Sequence, residues 1–97
     1  MNVRILRRAE KDLAAIHRDI ARHSRRNADA DVDRILRLIE RLADFPESGD
    51  RVRDERLQER GFRFLVSDSY LAFYKIIGKQ VRVYRILHGR RAYENIL

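Results

Sequence analysis

The stretch Tyr70-Leu71-Ala72-Phe73-Tyr74-Lys75-Ile76-Ile77-Gly78-Lys79-Gln80-Val81-Arg82-Val83-Tyr84-Arg85-Ile86-Leu87-His88 decides how this chain folds. Two strand-like runs flank Gly78-Lys79, a short loop with hairpin chemistry. The first run is apolar or aromatic on both faces: Leu71, Phe73 and Ile77 alternate with Tyr70, Tyr74 and Ile76. Strands of that kind lie mid-sheet with one face under helices. Strict alternation in the second run places Arg82, Tyr84, Ile86 and His88 on one side, with Val81, Val83, Arg85 and Leu87 on the other.

Working back from the hairpin, Phe62 to Ser67 reads as another strand. The Ser67-Asp68-Ser69 segment that follows it has turn chemistry. Residues 47–59 form a polar connection, with a short strand expected around Val52 or Leu57. Phe45-Pro46 ends a helix, because the residue before proline is pushed out of the α region and proline cannot continue the ladder. That helix carries Ala28, Val32, Ile35, Leu36, Leu38, Ile39 and Leu42 at helical spacing, and Asn27 reads as its N-cap. An earlier helix over residues 8–23 places Leu13, Ile16 and Ile20 on one face. The polar run from Ser24 to Asn27 joins the two into an antiparallel hairpin. Asn2 to Leu6 reads as a first strand. The expected order is β-α-α-β-β-β, in one domain spanning residues 1–97. It is an α+β fold, with the helical hairpin packed on one face of an antiparallel sheet of about four strands and the other face partly open.

The chain has 97 residues with 22 Lys and Arg against 15 Asp and Glu, a formal charge of +7. Its length bounds it to one small core. Cysteine is absent, which excludes a disulfide framework, a cysteine-ligated zinc and a thiol nucleophile. No apolar run is long enough for a spanning helix or a signal-peptide core, so a cytoplasmic location without membrane contact is expected. Residues 1–45 hold 11 basic and 8 acidic residues, whereas residues 69–97 hold six basic and one acidic. The positive excess therefore sits near the C-terminus and points to a polyanionic or acidic partner.

Glycine-rich phosphate loops, nucleophile elbows and zinc helices are missing. His17 and His23 do not share a helix face, so neither a metal nor a cofactor is expected. The chemistry-bearing segment is Arg85-Ile86-Leu87-His88-Gly89-Arg90-Arg91-Ala92-Tyr93. Arginine forks suit phosphates, tyrosine can stack on a base and histidine can transfer protons near neutral pH. Such a set serves binding. In a ribonuclease it would also activate a 2′-hydroxyl and stabilise the charge that develops on phosphorus.

Several stretches resemble the RelE/ParE toxin superfamily, and together they cover nearly the whole chain. They are Leu6-Arg7-Arg8-Ala9-Glu10-Lys11-Asp12-Leu13-Ala14-Ala15-Ile16, then Leu42-Ala43-Asp44-Phe45-Pro46-Glu47-Ser48-Gly49, then Glu59-Arg60-Gly61-Phe62-Arg63. Tyr70 to Tyr74 and Val83-Tyr84-Arg85-Ile86-Leu87-His88-Gly89-Arg90-Arg91 complete the series. The resemblance implies the toxin of a type II toxin–antitoxin pair, active in growth inhibition or plasmid stabilisation and held in a hetero-oligomer by an acidic antitoxin. Two activities occur in that superfamily: RelE-like, metal-independent cleavage of messenger RNA on the ribosome, and ParE-like poisoning of DNA gyrase.

Tyr70 is followed by Leu71 rather than a basic residue, and the chain ends Ile96-Leu97 without a terminal aromatic. Both depart from the ribonuclease pattern. Gly61-Phe62-Arg63 and Arg85-Ile86-Leu87-His88 look more ParE-like. The expected function is therefore gyrase-directed toxicity, with Arg63, Arg82, Arg85, Arg90 and Arg91 contacting the target. The alternative is a ribosome-dependent endoribonuclease using Arg85, His88, Arg91 and Tyr93 as catalytic groups. A degenerate toxin that retains only antitoxin binding is a third reading.

Overall fold

The computed structural model describes residues 1–97. Its centre is the expected hairpin. Strand β4 (Tyr70–Ile77) and strand β5 (Gln80–His88) pair antiparallel from Ile77 opposite Gln80 to Tyr70 opposite His88. Gly78 turns the chain with φ +60°, a conformation that glycine adopts without steric cost. Strand β3 (Arg63–Ser67) pairs antiparallel with β4, and strand β2 (Asp50–Arg51) pairs with β3. Strand β1 (Asn2–Ile5) lies parallel to β5, with Asn2 opposite Gln80 and Ile5 opposite Val83.

The sheet has five strands in the order β1-β5-β4-β3-β2, and it is mixed. This corrects the expected antiparallel sheet of about four strands. The fifth strand, Asp50–Arg51, forms directly before Val52, at one of the two places where a short strand is expected, and its two residues are too few for a periodicity to fix its partner. The direction of β1 is set by which edge it joins, and hydrophobic pattern carries no information about that.

Helix α1 (Arg7–Ala21) and helix α2 (Arg25–Glu40) form the hairpin, and a 3₁₀ turn over Arg41–Ala43 follows. The N-cap of α2 is Ser24 rather than Asn27. Ser24 has extended backbone, and its Oγ accepts a hydrogen bond from the Asn27 N–H at 3.1 Å. Leu57 lies in the short helix α3 (Glu55–Glu59) and not in a strand. Asp54 caps that helix by accepting from the Leu57 N–H at 3.0 Å.

Ala9, Leu13 and Ile16 from α1 and Ile35 and Ile39 from α2 pack with Leu42 against Ala72, Tyr74, Val81, Val83 and Ile86. Burial of each large side chain contributes about 1.5–3 kcal/mol. The opposite sheet face carries a second, smaller core of Val52, Leu57, Phe62, Phe73 and Leu87. Tyr84, Tyr93, Ile96 and Leu97 pack around it, so α3 and the C-terminal segment cover part of the face.

A β-bulge reorders β5. Phe73 stands opposite Arg85 and Tyr74 opposite Val83, which leaves Tyr84 without a partner. The extra residue flips the alternation. Val81, Val83 and Ile86 all enter the helix-side core, while Leu87 joins the second core. The strict alternation expected for this strand, with Ile86 on the side of Arg82 and Tyr84, therefore fails beyond Val83.

Candidate functional site

Strand β1 ends at Ile5, so β5 beyond Val83 has an open edge on that side. Asp12 of α1 closes part of it. Its Oδ2 accepts from the Ile86 N–H at 2.9 Å and from Arg85 Nε at 2.8 Å, and its Oδ1 accepts from Arg85 Nη2 at 3.1 Å. The pair is nearly dry, with side chains 12% and 13% exposed. Arg85, named from sequence as a target-binding and catalytic candidate, is thus held by an internal carboxylate in fork geometry.

The other named residues divide by surroundings. Arg63 donates from Nη1 to the carbonyl oxygens of Gly49 at 3.0 Å and Glu47 at 3.4 Å, so it ties down the loop before β2. Arg82 donates to Gln80 Oε1 at 2.7 Å. Arg90 and Arg91 are exposed in the turn after β5 and have no carboxylate partner. The Nδ1 of His88 accepts from the Arg90 N–H at 3.1 Å, which places the proton of the neutral ring on Nε2. Its ring meets Tyr70 edge-on at 5.6 Å.

His88 and Arg91 share a groove of about 240 Å³ with Asp12, Asp19 and Tyr70. Tyr93 lies elsewhere, its ring 4.9 Å from Phe73 in the second core. Burial, reinforced by the charges of Glu94 and Asp54, pushes its phenol above the ordinary value. Burial and then Asp31 and Asp19 do the same to Tyr70. The four groups named for a ribonuclease are therefore not gathered round one point. His88 and Arg91 meet, Arg85 is neutralised and Tyr93 is packed away.

Arg85 and residues not named as functional candidates from the sequence build a second concavity on the sheet face opposite the α1–α2 hairpin. Arg8, Arg60 and Arg85 line it with Phe62, Tyr84, Ile96 and Leu97, around about 440 Å³. The Nζ of Lys75 sits 4.5 Å from the Phe62 ring centre and 5.3 Å from that of Tyr84, within cation–π range. Arg60 approaches the Phe62 ring at 5.5 Å. Lys75 also stands directly opposite Arg82 across the strand pair. Burial and then the Arg60 charge lower the Lys75 ammonium from its ordinary value. The two-residue Gly78-Lys79 loop by itself implies the Lys75–Arg82 pairing, and that signal was available in the sequence. No local pattern links Arg8 and Arg60 to it.

The model of a family described as ParE toxin of type II toxin-antitoxin system, parDE, matches residues 3–93. Comparison with curated proteins finds no match. Among solved structures, one titled "Chromosomal ParDE TA system from P. aeruginosa" superposes with a TM-score of 0.76. At 23% identity over 91% of this chain and 95% of that one, the likeness is one of fold. The family match spans the helical hairpin, all of the core strands and the cationic segment after β5, and the chain belongs to the ParE toxin family of type II toxin–antitoxin systems.

Proposed function

We propose that this toxin arrests growth by binding DNA gyrase, and that in the cytoplasm an acidic antitoxin neutralises it within a hetero-oligomer. The observation that carries the reading is the separation of the candidate acid–base groups from one another. Tyr93 and His88 are on different packing surfaces, and Arg85 is already paired with Asp12. General acid–base chemistry needs its groups within hydrogen-bond reach of one reacting centre. Binding to an anionic or acidic target needs only cations free to meet it, and Arg82, Arg90 and Arg91 have no carboxylate partner.

The test is a supercoiling and DNA-cleavage assay with purified gyrase. The expected result is inhibited supercoiling with accumulation of cleaved DNA. Gyrase left untouched by a chain whose induction still stops growth overturns the proposal. In that case, A-site cuts in toe-printed messages would assign the ribonuclease reading instead.

A further inference from the structure

We infer that the cavity on the sheet face opposite the α1–α2 hairpin binds a nucleotide phosphate, with the attached base against its apolar wall. This does not depend on gyrase being the target. Three features carry it. The first is an excess of positive charge. Arg8, Lys75 and Arg82 have no carboxylate partner, Arg85 is paired with Asp12, and Arg60 makes one long hydrogen bond, 3.5 Å, to the oxygen of Leu97, the last residue, which also lines the cavity. Even Arg85 keeps Nη1 outside that pair. Like charges placed directly across a strand pair repel, as Lys75 and Arg82 do, and a bound anion removes the penalty.

The second feature is desolvation. Lys75 rests over the rings of Phe62 and Tyr84, partly shielded from water, beside the Arg60 guanidinium. A phosphate there would interact in a medium that screens less than bulk water, and the arginine forks suit several of its oxygens at once. The third is shape. About 440 Å³ lies in the usual range for small-ligand sites. Tyr84, Ile96 and Leu97 give one wall an apolar, partly aromatic surface of the kind on which a base can lie. An acidic peptide would satisfy the charges but its carboxylates would leave that apolar wall without a matching group. The phosphate source is either a unit of single-stranded nucleic acid or a free nucleotide.

The test uses the whole 97-residue chain with two probes, a fluorescein-labelled single-stranded decanucleotide and ATP. Binding is read by anisotropy and by tyrosine quenching. At least one probe is expected to bind, and which one does identifies the source. Arg60→Gln and Lys75→Gln are each expected to raise Kd about tenfold, whereas Lys75→Arg restores binding. For the oligonucleotide, each lost cation is expected to flatten the log–log salt dependence by about 0.7. Arg26→Gln, on the far side of the helical hairpin, serves as the charge control and leaves Kd unchanged. Circular dichroism melts establish that each variant folds. The inference is overturned if neither probe binds, if folded Arg60→Gln and Lys75→Gln bind like the parent, or if a phosphate-free oligoglutamate competes as well as the oligonucleotide does.

Discussion

Removing Asp12 should destabilise this protein more than any surface charge change. The carboxylate makes two bonds to Arg85 and a third to the Ile86 N–H, in a place where both side chains are almost fully buried. Breaking a buried pair from one side typically costs about 3–5 kcal/mol, because the remaining charge has lost its partner. Arg85 also lines the open cavity, so its guanidinium can recover some hydration. The expected cost of Asp12→Ala is therefore at the lower end, about 3 kcal/mol. In a domain of this length that corresponds to a fall in Tm of roughly 12–24 °C.

Urea titration monitored by circular dichroism measures the cost. A second variant isolates its cause. Combining Asp12→Ala with Arg85→Met removes both charges and leaves only the Ile86 N–H unpaired, a loss of about 1 kcal/mol. The double variant should therefore be about 2 kcal/mol more stable than Asp12→Ala alone. The cost should also persist in 1 M salt, where the Debye length of about 3 Å removes the contribution of exposed pairs. A loss below about 1 kcal/mol that vanishes in salt would mean that the pair behaves as a surface bridge, and the reasoning would be wrong.

Tyr74 should be the second sensitive position. Its buried hydroxyl donates to the Pro46 carbonyl at 2.8 Å and accepts from the Gly49 N–H at 2.9 Å, so Tyr74→Phe should cost about 1–3 kcal/mol in urea titration. Gly49→Ala should be harmful for the same close approach, since an added Cβ would lie 2.5 Å from the Tyr74 hydroxyl and 2.7 Å from the Phe64 carbonyl oxygen. A cost of about 1–3 kcal/mol is expected, and a neutral Gly49→Ala would contradict the packing. Alkaline stability has a defined sign. Burial raises the phenols of Tyr70, Tyr74 and Tyr93, so the folded chain keeps protons that the unfolded chain releases. Their contribution is complete below about pH 10 and is lost as pH rises through the folded values. Lys75, lowered by burial, acts in the opposite sense, and its gain is complete by about pH 10.4. Melts across about pH 9–12 should therefore show falling stability above about pH 10, together with late phenolate absorbance. A rise in that range would contradict the assigned burial.

The cationic candidates show how far sequence reading reaches into the site. Arg90 and Arg91 are exposed where the sequence places them, in the turn after the last strand. Arg63 and Arg85 also fall where expected in the chain, but their forks are engaged by the carbonyls of Glu47 and Gly49 and by Asp12. A warning of the latter was present: Asp12 stands three residues after Ala9 and four before Ile16, a carboxylate within the buried stripe of α1. Its partner, 73 residues away, was beyond any local pattern.

By itself the sequence determined the helical hairpin, the β4–β5 register from the Gly78 turn as far as Val83, and the two-layer class. Helix and strand periodicities, the Phe45-Pro46 stop and the Gly78 turn all act within a few residues. Tertiary structure alone decided the pairing of β2 with β3, the parallel placement of β1 and the bulge at Tyr84 that changes which side chains face the helices. It also decided which cations are free. An arginine's role depends on whether a carboxylate or carbonyl lies within a few ångströms of it, and that separation is set by chain segments that meet only once the sheet has closed.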